Sequence, residues 1–236
     1  MTPITPRMFG ERGRRRAVEL GIDPDRLPPG QSPTVKWPVL SLGATPRVAT
    51  DEWALSIDGA VREPYALDWD AFRGLADDDW DGDLHCVTRW SKFGMRWRGA
   101  GVAALIERAG PLSQATHLLA HCYGGYTTNM ALADVMEHPA LVAHEAGGQP
   151  LEPDHGGPAR LLVPHLYLWK SAKWIRRLEL LDHDELGFWE RNGYHHRGDP
   201  WREERHSVED YVARTLRRRA RAGARDAQRP AGQSLR

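Results

Sequence analysis

The stretch His85-Cys86-Val87-Thr88-Arg89-Trp90-Ser91 sets a cysteine between a histidine, an arginine and a tryptophan. A thiolate held beside cationic groups is either a nucleophile or a soft-metal ligand, whereas a cysteine at a strand end with no such role is a small buried hydrophobe. A second stretch, Asp154-His155-Gly156-Gly157-Pro158-Ala159-Arg160, is followed by Ser171-Ala172-Lys173-Trp174. An arginine at the mouth of a strand can grip a phosphate with two bonds, and Lys173 adds a point charge. The glycine-rich loop leaves backbone N–H groups free to line an anion. The competing reading makes Arg160 and Lys173 ordinary ion-pair or solvated residues. Neither a Walker loop nor G-x-G-x-x-G occurs, so nucleotide binding lacks support.

These residues need elements to hold them. Trp53 to Ile57 alternates and stops at Asp58-Gly59, which predicts a strand and turn. Asp68 caps a short helix running to Leu75, with Asp77-Asp78-Asp79 as a solvated turn. Leu84 to Val87 reads as a strand ending at the cysteine, and Val102 to Ala109 as a helix closed by Gly110-Pro111. Strands are expected over 117–122, 141–145, 160–163 and 175–181, a short helix over 131–136, and a long irregular loop over 147–158. Residues 1–34 lack periodicity and read as an extended or partly disordered arm. Residues 35–206 form the domain, and residues 207–236 a last helix from Val208 to about Arg221 with an Arg-rich tail. Short strands and helices without a βαβ rhythm make the fold α+β.

Composition narrows the partners. The 236 residues carry 32 basic and 32 acidic side chains, and this balance argues against nucleic acid. Two cysteines far apart give neither a disulfide framework nor a four-ligand zinc site. No apolar run approaches the roughly 20 residues of a membrane span, and no secretory signal is visible, so a cytoplasmic protein without membrane insertion is expected. Ten tryptophans supply rigid surface for a core or a pocket wall. His117 and His121 would make a metal pair only on a helix, and no third ligand is placed.

The three motifs, in their order, resemble the molybdopterin-binding domain of the sulfite oxidase family, from about Trp37 to about Tyr194. That family includes sulfite oxidase, plant nitrate reductase and the bacterial methionine sulfoxide reductase catalytic subunit. The resemblance implies a single α+β domain of mixed short sheets and short helices that binds Mo-molybdopterin. It makes Cys86 the protein thiolate on molybdenum. It matches His155, Arg160, Ser171, Ala172 and Lys173 to cofactor-contacting positions, and His85 is expected with them as a cofactor-binding residue. Cys122 falls where a bacterial relative has a cofactor-contacting threonine; filling the core is its other reading. Tyr194 lines up with an active-site tyrosine, and Arg89 lies near an active-site arginine, so both are expected to meet an anionic substrate. Trp90 or Trp174 would wall the pocket, and His195-His196 could move protons nearby. The C-terminal dimerisation domain and haem segment of sulfite oxidase, and the bacterial reductase's export signal, are not recognised.

The resulting expectation is a molybdenum oxidoreductase that moves an oxygen atom to or from a small oxyanion or sulfoxide, with electrons exchanged with a separate protein. Two rivals remain: a thiol redox enzyme or sensor built on Cys86, and a non-catalytic cofactor-binding protein.

Overall fold

A computed structural model describes residues 6–207. Its first element is a departure from expectation. Pro6–Glu19 forms helix α1 where an extended arm was expected. The helix lacks a broad apolar stripe and seats itself through small residues: Ala17 is fully buried, and a side chain at Gly13 would collide with the Gln31 carbonyl. A 3-10 turn over Pro24–Arg26 follows, its Asp23 carboxylate accepting from the Asp25 N–H at 2.9 Å. The chain then makes a two-residue strand, β1 (Ser32–Pro33).

From there the expected segments form with some shifted bounds: the strand read over 84–87 ends at His85, which leaves Cys86 in the turn, and the short helix read to Leu75 ends at Arg73. Ala54–Gly59 is β2 and Tyr65–Asp68 is β3. Asp68 caps α2 (Trp69–Arg73) by accepting from the Ala71 N–H at 2.8 Å. Asp78–His85 is β4 and Trp90–Gly101 is β5, the longest strand described. Two of the three acidic residues expected in a turn therefore begin β4, where Asp79 and Arg98 pair across the hairpin at 3.0 Å. Val102–Ala109 is α3, ended by left-handed Gly110. Then come β6 (His117–Cys122), β7 (Thr127–Ala131), α4 (Leu132–Met136), β8 (Leu141–Ala146) and β9 (Gln149–Pro150). Arg160–Leu162 is β10, Ile175–Leu181 is β11, and Phe188–Arg191 is a short helix, α5. The helix expected from Val208 lies outside the described residues.

Two sheets carry the α+β fold. One orders β1-β5-β8-β10, with β4 on β5 and β9 on β8; the other orders β3-β2-β11-β6-β7. The main core lies between them: Leu55, Ile57, Leu118, Leu178 and Leu180 from the second sheet meet Ala100, Val142 and Leu161 from the first, with α3 adding Leu105 and Ile106. A smaller cluster of Leu84, Met95, Trp97, Leu141 and Leu162 fills the other face of the first sheet. Gly99 is required where β5 meets β8, because a Cβ there would sit 2.1 Å from the Val142 carbonyl oxygen. Among the described residues, no helix is long and apolar enough to cross a membrane.

Candidate active site

The turn joining β4 to β5 is Cys86-Val87-Thr88-Arg89. Cys86 N–H donates to the Trp90 carbonyl at 2.9 Å, and Arg89 N–H to the Cys86 carbonyl at 3.0 Å. Arg89 closes the turn at φ 74°, the left-handed residue such a hairpin needs. Backbone from the β1 segment clamps it from outside. Ser32 N–H donates to the Arg89 carbonyl at 2.9 Å, and the buried Gln31 side chain donates to the Cys86 carbonyl at 3.0 Å. Arg205 holds the turn through the Val87 carbonyl. The turn thereby fixes Cys86, 5% exposed, in the wall of a cavity of about 350 Å³.

Cationic groups from the second stretch share that cavity. His155, Arg160 and Lys173 all line it. Arg160 is 4% exposed and spends its N–H groups on carbonyls alone, donating to His155 O at 2.9 Å and Ser171 O at 2.6 Å. Lys173 donates to the Ser41 hydroxyl at 2.6 Å and the Asp154 carbonyl at 2.8 Å. Among the described residues neither has a carboxylate ion pair. The three groups burden one another. Burial lowers the Arg160 pKa to about 10. Burial and then the Arg160 charge bring Lys173 to about 8. His155 is lowered by burial, Arg160 and Lys173. Each basic group rests on a tryptophan: His155 stacks on Trp37 at 3.7 Å, Arg160 lies over Trp97 at 5.7 Å, and Lys173 over Trp174 at 4.7 Å. Gly156, at φ 106°, permits this assembly; its Cβ would come within 3.0 Å of both Arg160 Cβ and Lys173 Cβ.

Cys86 itself is less acidic than the motif suggested. Burial raises its thiol pKa, only partly offset by the Thr88 hydrogen bond and the Arg205 charge. The reason is geometric. Alternation along β4 turns His85 away from the cavity, where its Nδ1 meets Ser91 Oγ at 2.9 Å and burial lowers its pKa to about 4. Arg89 also points elsewhere: its guanidinium donates to the Gly30 carbonyl at 3.4 Å and lies 3.8 Å from Glu203. Neither residue lines the cavity.

Of the remaining expected residues, Ser171, Ala172 and Tyr194 line it, as do Trp90 and Trp174. Ser171 Oγ accepts from the Val163 N–H at 2.9 Å, which ties its loop to the strand end. Cys122 does not reach the cavity. It faces the main core from β6, where burial pushes its thiol to about 12. His195 and His196 are also elsewhere: His195 Nδ1 accepts from the Arg197 and Gly198 N–H groups, and His196 lies 3.5 Å from Asp184. His121 pairs with Glu179 at 2.7 Å across the strands, so it forms no metal pair with His117.

Sequence reasoning missed part of the wall. Trp37, Tyr126 and Trp169 line the cavity, and Trp189 packs on Tyr194 with ring centroids 4.9 Å apart. Tyr126 donates to the Trp169 carbonyl at 2.6 Å. Behind Trp169 sits a fully buried ion pair: Glu190 accepts from Lys170 Nζ at 2.7 Å, Trp169 Nε1 at 2.8 Å and Thr128 Oγ1 at 3.1 Å. The unusual number of tryptophans was the available signal, but composition does not say which ones converge.

A buried thiol facing cations that make no ion pair among the described residues, across an aromatic-walled cavity, suits a metal whose organic ligand carries an anionic group. Residues 42–189 match the model of the oxidoreductase molybdopterin binding domain, and the chain belongs to that family, a molybdopterin-dependent oxidoreductase of sulfite oxidase type. The chain is 40% identical over 181 residues to the uncharacterized oxidoreductase YuiH of Bacillus subtilis, covering 76% of this chain and 91% of that one. It is 31% identical to the protein-methionine-sulfoxide reductase catalytic subunit MsrP of Gluconobacter oxydans, covering 59% of this chain and 50% of the relative. A barley (Hordeum vulgare) NADH nitrate reductase matches at 27% identity over 58% of this chain and 18% of its own length. The chain thus spans half of the sulfoxide reductase and under a fifth of the nitrate reductase. In fold it is similar to the sulfane dehydrogenase SoxCD of Paracoccus pantotrophus, with a TM-score of 0.56 at 20% identity over 63% of this chain and 42% of that one.

Proposed function

We propose that this protein transfers an oxygen atom to or from a small sulfur–oxygen compound, using molybdopterin-bound molybdenum held in the Cys86 cavity. The observation that carries the reading is the group of buried Arg160 with half-buried Lys173 and His155, which makes no carboxylate ion pair among the described residues and faces the cavity that Cys86 shares. The residues fit the cofactor on their own chemistry. Cys86 offers the soft thiolate that molybdenum prefers, and a bound cation deprotonates a thiol that burial keeps neutral. Arg160 and Lys173 would hold the cofactor's phosphate, with the Ser171-Ala172 backbone beside them. Trp90 Nε1, a buried donor without a partner in the cavity wall, is available to a bound acceptor.

When bound, the cofactor supplies two-electron redox chemistry at the metal. The chain's own part is to bind, orient and exclude water. Trp37, Trp169 and Trp174 wall the site, and Tyr194, whose ring packs against Trp169 and Trp189, supplies a hydroxyl for substrate. Arg89 is not assigned a substrate contact, since its guanidinium is engaged at Gly30 and Glu203. The sulfoxide reductase relative is by name a catalytic subunit, which supports a separate electron partner here. A reducing, cytoplasmic setting belongs to the same proposal and is supported by the two free cysteines.

The test is elemental analysis of protein from a molybdenum-replete host, with turnover of sulfite and methionine sulfoxide against artificial electron carriers. One molybdenum per chain is expected, and Cys86→Ser should abolish turnover. Wild-type protein that is active without molybdenum would overturn the proposal in favour of a thiol enzyme.

A further inference from the structure

A second group of donors lies outside the cofactor cavity. Asp134 on α4 is 5% exposed. Its Oδ1 accepts from Arg197 Nε at 3.1 Å and Nη2 at 3.0 Å, and lies 3.3 Å from His165 Nε2. Its Oδ2 is buried and has no hydrogen-bond partner, and neither has His165 Nδ1. His138, exposed just past α4, packs its ring on His165 with centroids 4.5 Å apart. One donor atom from each of the three lies within 4.8 Å of the others, the only such cluster among the described residues. None of the three lines the cavity of Cys86.

We propose that Asp134, His138 and His165 form a second metal site, taking one divalent transition-metal ion of the zinc class. Two imidazoles and one carboxylate are a donor set for zinc and its neighbours, with the remaining positions left to water. Calcium and magnesium are disfavoured, because hard cations require more oxygen donors than one carboxylate supplies. The unpaired Oδ2 is the second, independent mark of a ligand: a buried carboxylate oxygen without a donor is costly, and a cation satisfies it. Arg197 plays the outer role. It grips Oδ1 with two nitrogens and so fixes the carboxylate while leaving the other oxygen free. Exposed His138 is the entry side. An ion there would fasten α4 to the loop carrying His165 and, through Arg197, to the segment that carries Tyr194.

The test is calorimetric titration of the purified full-length protein with ZnCl2, and with CoCl2 followed by its visible d–d absorption. One saturable equivalent with micromolar or tighter affinity is expected, with cobalt bands of low-symmetry nitrogen–oxygen coordination. His138→Ala, an exposed change that leaves the core untouched, should weaken binding by about tenfold or more. His165→Ala should do the same. His183→Ala, an exposed histidine beside Asp182, should leave it unchanged. Binding that is unaltered in His138→Ala, absent in the wild type, or equally strong for calcium would overturn the proposal.

Discussion

Glu190 and Lys170 form an ion pair with both side chains fully buried, and its disruption has a calculable consequence. Glu190→Leu strands three donors at once: the Lys170 ammonium, the Trp169 indole N–H and the Thr128 hydroxyl. Breaking a buried pair from one side costs about 3–5 kcal/mol, chiefly because the remaining charge is left without a partner. The ammonium keeps the Asn129 carbonyl and side-chain oxygen, whereas the indole loses its acceptor. The expected loss is therefore about 4–5 kcal/mol, a large share of the roughly 5–15 kcal/mol that holds a domain together. At about 2–4 °C per kcal/mol for a chain of this size, the midpoint should fall by roughly 8–20 °C. The double variant Lys170→Met/Glu190→Leu leaves two neutral donors without an acceptor and takes the ammonium from the Asn129 oxygens, but it leaves no buried charge unpaired, so it should cost about 2–4 kcal/mol. It should thus be more stable than the single variant, a sign that additive contacts cannot produce. Urea denaturation of the wild type, both single variants and the double variant measures the coupling. A Glu190→Leu loss below about 1 kcal/mol, or a double variant weaker than the single, would refute the reasoning.

Two further outcomes concern the cofactor cavity. Gly156→Ala forces a Cβ onto Arg160 and Lys173 at φ 106°, so it should cost about 1–3 kcal/mol and lower the molybdenum content of the isolated protein; metal analysis beside a melting curve checks both. Lys173 has a folded pKa of about 8 against its ordinary 10.5, so between those values the unfolded chain binds more protons. Protein prepared without molybdenum should therefore gain stability as pH rises from about 8 to about 10, and Lys173→Met should flatten that rise in denaturation curves.

Elements with clean periodicity were legible: β6, α3 and β11 have the expected bounds, because one apolar face meets one core, and glycines follow closely on β6 and α3. Strand β5 was not, although it pairs with three neighbours. Gly94 and Gly99 look like breaks in it, but one sits at positive φ and the other admits the close approach of β8. Helix α1 was hidden for a related reason: an Arg-rich segment with small seats at Gly13 and Ala17 shows no apolar stripe. In the site, the motifs located Cys86, Arg160 and Lys173 on the cavity wall, whereas His85 and Arg89 point away from it and Cys122 takes the core-filling one of its two readings. Adjacency in sequence suggested that His85 and Arg89 help the sulfur; strand alternation and a left-handed turn send both away.

That misdirection changes what the cysteine motif means. A thiol poised for nucleophilic attack needs a nearby base or cation that lowers its pKa. Cys86 instead sits where burial raises it, its closest side-chain partner a neutral hydroxyl, Thr88 Oγ1 at 3.1 Å. Across the same cavity Arg160 and Lys173 are held against carbonyls and a hydroxyl, their pKa values lowered by burial and, at Lys173, by repulsion. The two halves are complementary in what they lack. The thiol needs a cation to ionise, and the basic pair needs an anion to balance it. A metal bound to an anionic organic ligand answers both demands at once, whereas a thiol-reactive substrate answers only the first.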